Sequence, residues 1–234
     1  MRYDELLAAR RAALPNAPRV EAKNATPSIR NLAQALTSAR SALAVPVVSA
    51  APSLWSPGAP LSPDEAAALA RALDDAEAPA LALAVGDSHE TLARACAAAG
   101  SMPVLRADPL LEEGEVFATR ALGADGVLLV ARALGPRLGR LVQAARATHM
   151  LALVLALSPE EARAAEAAGA AGIALDLRDD VAAILPAIGR RAVVVGLAFS
   201  ASRATVAAEE GRLDAILALV SAASAADDWR ALTG

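Results

Sequence analysis

Residues 103 to 131, PVLRADPLLEEGEVFATRALGADGVLLVA, decide the fold. The apolar run MPVLRA (102–107) is too short for a helix, EEGEVFATRALG (112–123) has helical spacing, and GVLLVA (126–131) is a second short apolar run. Strands that are apolar throughout belong to parallel sheets covered by helices on both faces. Strand, helix and strand within about thirty residues form the repeating unit of a parallel α/β fold. The first run ends on Arg106-Ala107-Asp108. In a barrel of parallel strands, chemistry is placed at the C-terminal strand ends, and an alanine there supplies none.

The alternation continues outward from this stretch. Upstream, VPVVSA (45–50) and ALALAV (80–85) read as strands, with SPDEAAALARALDDA (62–76) and SHETLARACAAAG (88–100) as helices. Downstream, LALVLAL (151–157), GIALDL (172–177), AVVVGLA (192–198) and AILALV (215–220) read as strands. The helices expected among and after them are PRLGRLVQAARATH (136–149), SPEEARAAEAAGA (158–170), DDVAAILPAIG (179–189), SRATVAAEEGR (202–212) and SAADDWRALTG (224–234). Ser62-Pro63-Asp64-Glu65 and Ser158-Pro159-Glu160-Glu161 each combine an N-cap serine, a proline in the first turn and a glutamate at the third helical position. Strand then helix, eight times over, predicts a closed (β/α)8 TIM barrel. The competing open, doubly wound sheet would carry a glycine-rich phosphate turn after an early strand, which this sequence lacks. Ahead of the barrel lie a charged helix at 3–14, the linker PNAPRVEAKNATP and a second helix in SIRNLAQALTSAR. The expected organisation is thus a helical extension, 1–44, docked on a barrel, 45–234, as one domain overall.

Composition narrows the function. The chain has 234 residues, 56% of them hydrophobic, and a net charge of −4 with no basic run, which argues against nucleic acid as a partner. The opening MRYDELLAARRAALP interleaves charge with apolar residues, so neither a signal peptide nor a membrane span is expected, and the protein is placed in the cytoplasm. The single Cys96 has no local base and reads as a small core residue. His89 and His149 are far apart in sequence and, with one cysteine, make no metal site. No cofactor is expected.

The quoted stretch resembles the third and fourth strand units of indole-3-glycerol phosphate synthase, a tryptophan-pathway enzyme family whose pattern there runs PVLRKDF, a polar loop, V-x-x-A-R-A-x-GADAVLL. The likeness extends through YDELLAARRAAL, SIRNLAQAL, LALVLALSPEEARAAEAAGAAGIALDLRD and the closing GRLDAILALVSAASAADDWRALTG. It implies a TIM barrel that closes an indole ring on an anthranilate-derived ribulose phosphate, with loss of carbon dioxide and water. It further implies a lysine general acid, a second lysine, partner glutamates, and a phosphate cradle at the ends of the last two strands. This chain departs from that pattern at each of those positions. The Leu-Arg-Lys-Asp turn is Leu105-Arg106-Ala107-Asp108, and the first-strand glutamate and lysine fall on Ala50 and Pro52. The fifth-strand glutamate falls on Leu155, S-E-S-G-I becomes Val195-Gly196-Leu197-Ala198-Phe199, and V-G-E-S becomes Ala218-Leu219-Val220-Ser221. A lysine-to-arginine drift would have left arginine at the lysine positions and spared the glutamates.

Polar groups remain at strand ends. Arg106, Asp108, Asp176 and Arg178 are the candidate ligand-binding residues, with Arg132 nearby, although an internal salt-bridge network is the favoured reading of such a set. Ser49, Ser53, Ser200, Ser202 and Ser221 could act as nucleophiles only beside a base. The expected function is that of a catalytically inactive family member that binds an unknown protein partner or small-molecule ligand, with no confident catalytic residue. Two alternatives stay open: a synthase with a displaced site, using Lys23 as acid, or new chemistry at the Arg/Asp rim. Leu155, Leu157, Leu197, Phe199 and Leu219 predict an apolar mouth, covered by residues 15–27 and the loop around Trp55 or else by a partner.

Overall fold

The computed structural model describes residues 3–13, 25–38, 43–50, 61–199 and 212–233. Eight strands pair in parallel and in sequence order around a closed barrel: β1 (Leu43–Ser49), β2 (Leu81–Ala84), β3 (Val104–Pro109), β4 (Gly126–Val130), β5 (Leu151–Leu155), β6 (Gly172–Asp176), β7 (Val193–Ala198) and β8 (Ala215–Leu219), with β8 closing on β1. The first strand begins at Leu43, so the expected boundary at 44/45 falls inside it.

The register sorts each strand into two faces. Val47, Ala82, Leu105, Gly126 and Leu151 are linked partner to partner and face the interior. The alternate residues Val48, Leu81, Leu83 and Val104 join a separate cluster with Leu69, Leu73, Leu92 and Cys96 from the covering helices, so they face outward. Trp229, on the C-terminal helix Ala225–Thr233, belongs to that outer cluster.

The helices follow the expected segments where capping chemistry dictates them. α1 is Tyr3–Ala13, α2 Leu32–Leu36, α3 Pro63–Asp75, α4 His89–Ala98 and α5 Glu113–Ala121. A single turn, α6 (Ala131–Leu134), precedes α7 (Leu138–Ala147) and α8 (Pro159–Ala167). Ser62 caps α3 through a complete capping box: its Oγ accepts from Glu65 N at 3.2 Å, and Glu65 Oε2 accepts from Ser62 N at 2.8 Å. At α8 the serine half is the same, but Glu161 reaches past the cap to accept from Leu157 N at 2.8 Å.

Three segments differ from expectation. DDVAAILPAIG forms two 3-10 turns, Val181–Ala183 and Leu185–Ala187, because Pro186 removes a helix-interior donor and Asp180 turns the chain by accepting from Ala182 N. The second N-terminal helix is only five residues, opened by the Asn31 side chain and closed where Thr37 Oγ1 donates back to Ala33 O. α6 was not expected. The helix read in SRATVAAEEGR lies outside the described residues but for Arg212.

The extension grips the barrel at both ends. Leu32 sits against interior Gly126 at the N-terminal end, where any Cβ on that glycine would collide with it. Beside it, buried Asp125 holds Ser28, Arg30 and Arg120. At the C-terminal end, Leu7 of α1 is buried in the barrel's own core cluster. No helix among the described residues is long and apolar enough to cross a membrane.

Candidate functional site

The C-terminal end of the barrel is where strand-end side chains converge on one opening. The interior positions nearest it are Ser49, Ala84, Ala107, Val130, Leu155, Asp176, Leu197 and Leu219. Ala107, Leu155 and Leu197 have no exposed surface. Among the described inward-facing strand residues, Asp176 is the only ionisable one.

The register moves two assignments by one residue. Ala50 packs outward in the cluster of α3, and Ser49 holds the inward position at the end of β1. On β7, Gly196 faces outward against Leu177, and Leu197 faces the interior. A side chain alternates faces with each residue, so an alignment slip of one exchanges inside for outside. The corrected positions, Ser49 and Leu197, carry no carboxylate either. Pro52, Lys23, Ser53, Ser200, Ser202 and Trp55 lie outside the described residues, as do 15–24 of the expected cover.

The four candidate ligand-binding residues separate into two pairs. Arg106 and Asp108 do not reach the mouth. Arg106 is 1% exposed and points outward, donating to Thr119 Oγ1 at 3.1 Å, to Gly86 O at 2.7 Å and to Asp108 Oδ2 at 3.3 Å. Asp108 accepts from Val85 N at 2.9 Å and Gly86 N at 3.0 Å, which fixes the exit of β2 to β3. Leu105 and Ala107 take the interior face, which leaves their neighbours on the helix side. The pair is thus the salt-bridge network that competed with a ligand site in the sequence.

Asp176 and Arg178 do stand at the mouth. Asp176 Oδ2 accepts from Arg178 Nη2 at 2.7 Å, and Oδ1 accepts from the Arg178 backbone N at 2.9 Å. The guanidinium lies 3.7 Å above the centre of the Phe199 ring, a cation–π stack. Leu157, Phe199 and Leu219 are half-buried, so the apolar rim expected from the sequence is partly formed. Arg132 pairs instead with Glu161 on α8.

Cys96 and His149 take no part in the mouth. Cys96 is buried and its thiol is pushed up to about 12 by that burial, which makes it a core residue and a poor nucleophile at neutral pH. His149 takes a left-handed turn at the start of β5, at the barrel's other end. No group of three potential metal ligands occurs among the described residues. A cleft of about 720 Å³ at the N-terminal end is bordered by Arg30 and Arg120. Both guanidiniums are already spent on backbone carbonyls and Asp125.

Comparison with known proteins places this geometry. The sequence model described as "Indole-3-glycerol phosphate synthase" matches residues 3–180, ending before β7 and β8. Indole-3-glycerol phosphate synthase 2 of Streptomyces coelicolor is 37% identical over 177 residues, spanning 73% of this chain and 67% of that protein. The indole-3-glycerol phosphate synthase of Syntrophobacter fumaroxidans is 40% identical over 87 residues, 37% of this chain and 33% of that one, so this match spans only a third of that relative's length. Among solved structures, 3-hexulose-6-phosphate synthase superposes with a TM-score of 0.59 at 17% identity, covering 80% of this chain and 98% of that one. The N-acetylmannosamine-6-phosphate 2-epimerase of Clostridium perfringens gives 0.60 at 13% identity, covering 81% and 90%. These two likenesses show the fold alone.

Proposed function

The chain belongs to the indole-3-glycerol phosphate synthase family, and on that premise we propose that it is a catalytically silent member whose barrel acts by binding a protein partner or a small-molecule ligand. One observation carries the reading. The inward positions at the ends of β1, β3, β5 and β7 hold Ser49, Ala107, Leu155 and Leu197, and the one inward-facing carboxylate among the described strand residues, Asp176, is tied to Arg178. Ring closure with decarboxylation and dehydration needs a proton donor and a base within hydrogen-bond reach of the substrate. An arginine cannot replace the lysine, since its pKa exceeds about 12. Function resides in the site and not in the fold, so the relatives' names do not carry their activity to this chain.

Complementation tests the proposal. A tryptophan auxotroph lacking its own synthase should fail to grow without tryptophan when it expresses this full chain, with expression verified by blotting. Growth at the rate given by an intact synthase would overturn the reading.

The same logic extends to phosphate. A backbone cradle for phosphate needs close approach to consecutive N–H groups, which glycine permits and side chains obstruct. Leu197, Ala198, Leu219 and Val220 occupy the ends of β7 and β8. Millimolar inorganic phosphate should therefore leave the melting temperature unchanged at constant ionic strength, because a ligand stabilises only in proportion to its occupancy of the folded state. A saturable rise in melting temperature would show that a cradle persists.

A further inference from the structure

A charged cluster at the C-terminal end of the barrel has no part in the proposed function. Arg10 comes from α1, yet it is only 8% exposed. It ion-pairs with Asp87 in the turn after β2, at 2.5 Å, and with buried Glu115 in the first turn of α5. Glu115 also accepts from the backbone N–H groups of Leu111 and Glu112, at 2.9 and 3.0 Å, so its position is fixed by α5 itself. His89 opens α4 two residues beyond Asp87, is partly buried, and lies within the electrostatic reach of Arg10, Asp87 and Glu115.

The imidazole meets a field that opposes its protonation. It stands at the N-terminal end of a ten-residue helix, where the dipole disfavours a cation. Arg106 of β3 and Arg10 of α1 add two fixed positive charges. The carboxylates that would favour an imidazolium, Asp87 and Glu115, are engaged by Arg10. Among the described residues, the other acids near this end of α4 are occupied or exposed. Asp108 holds Arg106, Asp64 of α3 pairs with Arg94, Glu65 caps Ser62, and Glu90 is exposed. Burial first, then Arg106, holds the His89 pKa below its ordinary 6.5.

We propose that Arg10, Asp87 and His89 form a proton-operated latch that holds α1 against the C-terminal end of the barrel at neutral pH and releases it in mild acid. When α1 lifts, Arg10 leaves with it, and Asp87 and Glu115 then face the imidazole unpaired. His89 accordingly binds a proton more tightly in the open state. By linkage, protonation favours opening. The sign follows from a pKa that is lower in the closed form, with Arg10 in place, than in the open one: closure is fullest above the open-form pKa and weakens as pH falls through it towards the depressed closed-form value.

Hydrogen exchange read by mass spectrometry on the full chain tests the latch, with rates corrected for intrinsic pH dependence. Protection of peptide 3–13 in the wild type should fall by about threefold or more between pH 7.5 and pH 5.5, while peptides from β4 and β5 stay unchanged. In His89→Gln the protection of 3–13 should be independent of pH, and in Arg10→Gln it should be low at both values. His89 is partly exposed, so its replacement leaves the barrel folded, and near-native protection of β4 and β5 verifies this. A pH response equal in the wild type and in His89→Gln, or a wild type with no response, would overturn the proposal.

Discussion

Asp125→Ala should cost the fold about 3–5 kcal/mol, the range for breaking a buried ion pair by removing one partner. The carboxylate is 1% exposed and all its capacity is used. Oδ1 accepts from Ser28 Oγ at 2.6 Å and Arg120 Nη1 at 3.0 Å, while Oδ2 accepts from Val104 N at 2.9 Å and ion-pairs with Arg30 Nε at 2.8 Å. Its removal strands two guanidiniums and a buried backbone donor, and leaving buried groups unpaired costs more than their bonds contributed. The loss should also be directional. Ser28 and Arg30 belong to the N-terminal segment, so exchange protection should fall first over residues 25–38. Urea denaturation of the wild type, Asp125→Ala and Asp125→Asn checks this, with the asparagine intermediate because it keeps an acceptor oxygen and loses the charge. A cost for the alanine below about 1 kcal/mol, the size of a surface pair, would show that the hub is not structural.

That residue illustrates what the sequence reveals and what it hides. Every strand was legible, because each is a short apolar run buried on both faces and bounded by helix caps. Asp125 was not, although an acid directly before a wholly apolar strand is a signal that something must pair with it. Its partners, Ser28 and Arg30, lie nearly a hundred residues away. The same distance hides the Arg10–Glu115 pair, whose members look like ordinary charges on two amphipathic helices.

The candidate site was legible in chemical type and less so in facing. Ala107 and Leu155 fall inside the barrel as the resemblance implied, but Ala50 faces α3. A gapless alignment sets a residue's neighbours in the chain without setting the pleat. Arg106 and Asp108 were candidates for a ligand site or for an internal salt-bridge network, and their geometry spends both on tying β2, β3 and α5 together. Sequence shows which groups are charged. It does not show which are already neutralised.

The largest effect expected of this protein is an absence of turnover. Losing one general acid or base typically lowers a rate by about 10²–10⁴. Groups that act as a unit are not additive, so the several losses here do not multiply freely. The donors that would stabilise developing charge are a further loss, and that contribution is usually the largest single one. Against a median enzyme turnover of about 10 per second, the expected value lies below about 10⁻³ per second. Placing a lysine at Ala107 alone should not restore activity, since Leu155 and Leu197 supply no carboxylate partner and Asp176 is already tied to Arg178. The most direct measurement incubates the full-length protein, in excess over the anthranilate-derived ribulose phosphate, and follows indole fluorescence and released carbon dioxide. The account predicts neither signal above the protein-free control, and a turnover within about tenfold of the median enzyme's would contradict it.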